Sequence, residues 1–153
     1  MILIRKKHFY AAHRNQSLRG KCSNIHGHRY GIEVHLQPTR TRAGVTMLFA
    51  DVDKVVDPII DEYDHSMLIN ARDPYLKDLK KIKNADGDPI KLVVMKHETS
   101  VENVAARLFK QLTEGGLPVV DVLVEETDSG TIVYTRTDYM RENTVPSHKG
   151  GKH

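Results

Sequence analysis

The densest group of side chains able to do chemistry lies within HRNQSLRGKCSNIHGHRY, residues 13 to 30. His26 and His28 stand two apart, so on an extended chain both imidazoles project to one side, with the small Gly27 between them leaving room for an ion. His13 ends an earlier extended segment and, in an antiparallel arrangement, completes a set of three imidazoles. Three neutral imidazoles with a fourth position open suit catalytic zinc, whereas a closed structural site takes a fourth protein ligand. Cys22 offers that fourth ligand, because its spacing from His26 is one found in structural zinc sites. Spacing alone leaves both arrangements open, although a domain with a sheet and two amphipathic helices has little need of a structural metal.

Two further groups attract notice. Asp64 and His65 fall at the end of a helical stretch, and a carboxylate beside an imidazole orients the ring and fixes its tautomer, as a proton relay requires. The alternative is a histidine placed favourably against a helix C-terminus. Glu126, followed by Thr127, ends a strand on which Val120, Val122 and Val124 share its face. A carboxylate there needs a partner if buried: a bidentate donor on a ligand, an Arg or Lys of the chain, or solvent at the strand end.

The elements that must position these groups are legible from periodicity. Residues 2 to 13 read as a strand with Phe9, Ala11 and His13 on one face and Tyr10 and Ala12 on the other. In residues 28 to 36, Tyr30, Ile32, Val34 and Leu36 alternate with Gly31, Glu33 and His35, and His26 and His28 share the apolar parity. Val52, Val55, Val56, Ile59, Ile60 and Tyr63 predict a helix with Asp51 as its cap. Val101, Val104, Ala105, Leu108, Phe109 and Leu112 predict a second, with Thr99 and Glu102 as a capping box and Gly115 and Gly116 as its end. Strands over 119 to 127 and 131 to 136, joined at Asp128, Ser129 and Gly130, form a hairpin. The fold class is therefore α+β in the order β-β-α-α-β-β, with a four-stranded antiparallel sheet and two helices on one face. Residues 71 to 98 form a long connection rich in Lys, Asp, Gly and Pro. One domain spans residues 1 to 139, and residues 140 to 153 read as a flexible tail.

Composition narrows the function. With 39% hydrophobic and 28% charged residues among 153, the chain suits one soluble domain and contains no apolar run near the ~20 residues of a membrane span. The N-terminus lacks the features of a secretory signal, which places the protein in the cytoplasm. A single cysteine excludes an intrachain disulfide. The net charge of +3 is mild and dispersed, and with no Trp and 6% aromatics it argues against nucleic acid and fits an anionic small substrate.

FYAAHR, CSNIHGHRYGIEVHL, FADVDKVVDPIIDEYDHSMLIN, SVENVAARL and VEETDSGTIVY, in that order over roughly residues 5 to 136, resemble the 6-pyruvoyl- and 6-carboxy-tetrahydropterin synthase family. The resemblance implies a tunnelling fold whose sheets assemble into a barrel, as a homo-oligomer (a hexamer of two stacked trimers) with active sites between subunits. It implies that His13, His26 and His28 hold Zn²⁺, that Cys22 is the proton-abstracting thiolate, and that Asp64 and His65 form the relay. Glu126 with Thr127 would anchor the amino-pyrimidine edge of a pterin triphosphate substrate. Three residues between Cys22 and His26 resemble the bacterial 6-carboxy branch, which acts in queuosine-type deazapurine synthesis. The alternatives are an enzyme on the same scaffold that yields 6-pyruvoyl-tetrahydropterin or cleaves the side chain of dihydroneopterin, and a non-catalytic zinc or pterin binder. Thr99 and Ser100 replace the family's usual Pro-Thr pair, and Asp51 and Val52 its usual Asp-Phe. Arg14, Arg19 and Lys21 are candidates to hold the triphosphate.

Overall fold

Two antiparallel strands, β1 (Leu3–His13) and β2 (His26–Leu36), form the centre of the protein, in a computed structural model that describes residues 1–39 and 41–144. Their ladder runs unbroken from Leu3 opposite Leu36 to His13 opposite His26. Phe9, Ala11, Tyr30, Ile32, Val34 and Leu36 are buried on one face, as the alternation predicts.

That face is covered by α1 (Phe49–Tyr63) and, beyond a short helix α2 (Leu76–Leu79), by α3 (Val101–Glu114). The apolar stripes are those expected: Val52, Val56, Ile60 and Tyr63 of α1, and Val104, Ala105, Leu108, Phe109 and Leu112 of α3, are buried. Each Val, Leu, Ile or Phe side chain among them contributes about 1.5–3 kcal/mol when fully removed from water. The predicted caps differ. Leu48 precedes α1, and Asp51 lies in its first turn, paired with Lys54 at 2.7 Å. Ser100 occupies the cap position of α3, and no capping box forms. Thr99 is fully buried, with its hydroxyl donating to the Arg14 carbonyl at 2.9 Å, so tertiary packing has taken the residue that local sequence offers to the helix. Gly116, at φ +88°, turns the chain out of α3.

The sheet has six strands rather than four, and it is mixed. β3 (Ser66–Asn70) and β4 (Leu92–Met95) extend it past β1, in the order β4-β3-β1-β2-β5-β6, with β3 parallel to both β1 and β4. All five residues of β3 are buried. A strand covered on both faces has no alternation to detect, which is why periodicity misses it. β5 (Val119–Thr127) and β6 (Gly130–Thr135) complete the predicted hairpin. A register shift opposite the His35–Leu36 step makes Val119 rather than Val120 the buried residue, correcting the face assigned to Val120. The stretch from Met140, expected as tail, is helical to Thr144 as part of α4 (Arg136–Thr144); residues 145–153 lie outside the described residues. Among the described residues, no helix is long and apolar enough to cross a membrane.

Where the core face of β1 becomes polar, it is tied to α1 by charge. Arg5 Nε and Nη2 donate to Asp53 at 2.7 and 2.5 Å, and Lys7 pairs with Asp53 at 3.0 Å and Asp57 at 2.6 Å. The Arg5 fork, with Lys7 behind it, holds the Asp53 carboxyl down at about 2. A carboxyl depressed in the folded state stabilises above its unfolded value and loses that contribution as pH falls through the folded value. Asp53→Asn should cost about 1 kcal/mol near pH 7, lowering Tm by about 2–4 °C. In parallel thermal melts the gap from wild type should close between about pH 4 and pH 2; a gap that stays constant over that range would contradict this account.

Candidate active site

The β1–β2 register places three imidazoles on one face at the end of the ladder. His13 lies opposite His26, while His28 lies opposite the small Ala11, and the ring centroids are 4.5, 5.0 and 4.9 Å apart. One nitrogen from each ring falls within a group whose members all lie within 4.8 Å of one another. Backbone carbonyls fix two of the tautomers. His13 Nδ1 donates to the Thr99 carbonyl and His26 Nδ1 to the Asn24 carbonyl, each at 2.8 Å. The Nε2 atoms of His13 and His26, 3.0 Å apart, thus present lone pairs to each other, and His28 Nε2 is buried with no protein partner. Burial pushes the His13 imidazolium down to about 4, helped by the neighbouring imidazoles, and burial lowers His28 as well. Converging lone pairs, with the outer nitrogens of His13 and His26 donating to carbonyls, form the kind of donor set that can hold a transition-metal ion.

Gly27 plays another part than the one read from sequence. Its missing side chain faces the opposite side of the sheet from the imidazoles, where a Cβ would stand 3.3 Å from the Ala11 carbonyl oxygen. It allows close approach of the strands rather than making room for an ion.

Glu126 is brought to the same place. Opposite β6, Glu125 pairs with Thr131 and Thr127 with Gly130, so Glu126 is the extra residue of a bulge, a device that re-aims a side chain. Its Oε1 lies 3.7 Å from His13 Nε2, beyond hydrogen-bonding reach, and Thr127 beside it is exposed. Tyr30, wholly buried beneath His13 and His28, has a hydroxyl without a protein partner, and the Glu126 charge adds to the burial that raises its pKa.

Cys22 is exposed on a short 3₁₀ turn (Gly20–Ser23) between the two strands, outside the cluster of potential ligands. The loop is tethered at its base. Asn15 N–H donates to the Cys22 carbonyl at 2.8 Å, and Arg14, paired with buried Asp73 at 2.9 Å, lies 3.9 Å over the Tyr75 ring. Arg14 is thereby engaged and buried, which leaves Arg19 and Lys21 as the exposed cations of the loop. Sequence reasoning missed Thr99, Asn24, Asp73 and Tyr30 in these roles. Two act through backbone carbonyls, which carry no residue signature.

Asp64 caps α1, and His65 follows in the left-handed region at φ +56°. His65 Nδ1 donates to Asp64 Oδ2 at 2.7 Å, while Tyr10 N–H donates to Asp64 Oδ1 at 2.8 Å. The Tyr10 N–H, with His65, holds the Asp64 carboxyl below its ordinary value. His65 borders a cleft of about 430 Å³ lined by Tyr10, Ala12, Gly27 and Arg29 and also by Ala11, His28 and Ser66, and its ring lies 6.1 Å from that of Tyr10, whose side chain is on the face away from the imidazoles. The pair therefore opens on the opposite face of the sheet from His13, His26 and His28.

On the expectation that the three imidazoles hold Zn²⁺, replacing His28 by Ala should weaken its binding by more than about a hundredfold, since loss of an outer partner alone costs ten- to a hundredfold. A competitive chelator titration measures this, and wild-type affinity in the variant would remove His28 from the ligand set.

The chain matches the family described as 6-pyruvoyl tetrahydropterin synthase over residues 2–137. It is 30% identical to the 6-carboxy-5,6,7,8-tetrahydropterin synthase of Rickettsia felis, over 71% of this chain and 77% of that protein. It is 31% identical to the protein of the same name from Aquifex aeolicus, over 74% and 75% of the two chains. In structure it resembles an uncharacterized protein of Wolinella succinogenes, with a TM-score of 0.73 at 19% identity, over 89% of this chain and 98% of the other. The ordered motifs, the fold and the match along nearly the whole described chain agree: this chain belongs to the 6-pyruvoyl tetrahydropterin synthase family.

Proposed function

We propose that the chain is a zinc-dependent lyase converting 7,8-dihydroneopterin triphosphate and water to 6-carboxy-5,6,7,8-tetrahydropterin, acetaldehyde and triphosphate, in the cytoplasm and on the route to queuosine-type 7-deazaguanines. The observation that carries this reading is the convergence of three imidazole nitrogens beside the Glu126 carboxylate. The 6-carboxy branch is favoured by the names of the Rickettsia felis and Aquifex aeolicus relatives and by the three residues separating Cys22 from His26.

Zinc on His13, His26 and His28 would polarise the hydroxyl and carbonyl oxygens of the substrate side chain, so that modest bases can move the adjoining carbon-bound protons. Glu126 accepts hydrogen bonds from the amino-pyrimidine edge in the bidentate manner of a carboxylate facing a guanidinium, with Thr127 beside it, and so orients the pterin at the metal. Cys22, at the exposed turn of its tethered loop, takes a proton from the side chain as thiolate. Asp64 holds the Nδ1 proton of His65, leaving His65 Nε2 to exchange protons with the substrate.

The Asp64–His65 pair faces away from the imidazoles of its own chain. A homo-oligomer in which one copy supplies the metal site and another the relay would bring the two together, and a hexamer of two stacked trimers is the assembly we propose.

Incubation of zinc-loaded protein with dihydroneopterin triphosphate should yield a product with the mass of 6-carboxytetrahydropterin, together with acetaldehyde. A product retaining all three side-chain carbons would make the chain a pyruvoyl synthase instead, and no turnover would leave a binding protein. Cys22→Ala should lower kcat by about 10²–10⁴ while zinc content stays unchanged. Full activity would remove Cys22 from the mechanism, and lost zinc would make it a ligand.

A further inference from the structure

Residues 76 to 91, rich in lysine, have no part in the site as described so far. Their last residue does. The C-terminal turn of α1 contains no basic residue, and its final carbonyl groups lack partners within the helix. Lys91 supplies the missing donor from a distant part of the chain: its ammonium donates to the carbonyl oxygen of Asp61 and, at 2.8 Å, to that of Asp64. The Lys91 backbone carbonyl meanwhile accepts from Met67 N–H at 2.9 Å. The side chain and main chain of this one residue thus bracket Asp64, His65 and Ser66.

What they bracket is a strained turn. His65 is the sole non-glycine residue with positive φ among the described residues, a conformation that persists where its surroundings over-determine it. On one side it is held by β1, where His65 N–H donates to the Tyr10 carbonyl at 2.7 Å and Tyr10 N–H donates to Asp64. On the other side stands Lys91.

We propose that Lys91 is a positioning residue for the Asp64–His65 pair, clamping the end of α1 so that the carboxylate and the imidazole keep the alignment needed for proton transfer. The inference rests on the relay role given to that pair above. It also gives the connection between α2 and β4 a task, which is to deliver one ammonium to the end of a helix 27 residues earlier in the chain. Lys91 is exposed and its aliphatic stem is preserved in methionine, so Lys91→Met leaves the core intact. After the Tyr10 N–H and His65, the Lys91 charge also helps to keep Asp64 ionised.

The test compares Lys91→Met, Lys91→Arg and His65→Ala with wild type in steady-state turnover of dihydroneopterin triphosphate, and follows the ¹⁵N shifts of the His65 ring. Misalignment by a fraction of an ångström should lower kcat of Lys91→Met about ten- to a hundredfold with KM little changed, and Lys91→Arg should restore most of it. The His65 ring in Lys91→Met should lose the single Nδ1–H tautomer. Wild-type kcat in Lys91→Met beside an inactive His65→Ala would overturn the inference and leave the relay standing. A fully active His65→Ala would overturn the relay itself, and an unchanged His65 tautomer in Lys91→Met would then refute the clamp as well.

Discussion

The register of the β1–β2 ladder is the constraint on which the other features rest. Because His13 stands opposite His26 and Ala11 opposite His28, the three rings share one face, and the small residue gives the third ring its space. A slip of one residue would send the histidines of β2 to the other side of the sheet, since strand side chains alternate with period two. The long apolar face of both strands prevents that slip. Tyr30, Ile32, Val34 and Leu36 must be buried under α1 and α3, and the same parity carries His28 and His26 to their positions. Core packing and site geometry are therefore one decision of the chain.

The electrostatics of the site follow from that placement. The His13 and His28 imidazoles are kept neutral by burial, and carbonyl groups of Thr99 and Asn24 hold the outer protons of His13 and His26. Lone pairs facing one another in such surroundings repel, and the arrangement is unfavourable unless something positive lies between them. Cys22 and His65 are placed differently. Cys22 stands on an exposed turn and His65 at the end of a helix, each secured at its base by buried or charged partners.

Legibility in the sequence tracks this division. The histidines of β2, the alternation around them and both long helices were readable, because each is a local pattern with a fixed period. β3 and β4 were not, since a five-residue strand buried on both faces, and a four-residue strand pairing parallel to it, show no period of two. Thr99 was misread for a related reason: its local pattern fits a capping box, and only the folded chain shows its hydroxyl claimed by Arg14 and its carbonyl by His13. Asp73, near the start of a lysine-rich connection, gave no hint that it would lie buried against Arg14. The position of Asp64 and His65 at the end of α1 was correct, but the face onto which they open depends on β3, which the pattern hid.

The bond from His13 to the Thr99 carbonyl joins residues 86 positions apart. The β1–β2 ladder is local by comparison, and closing the longer loop carries a greater entropic cost. During folding the hairpin can gather the three rings early, yet the ring of His13 acquires its final tautomer only when the start of α3 arrives. An ion encountered before then would meet imidazoles still free to present either nitrogen. The chain thus separates collecting the three rings from orienting them, and an ion held in the proposed way would mark the end of folding rather than its nucleus.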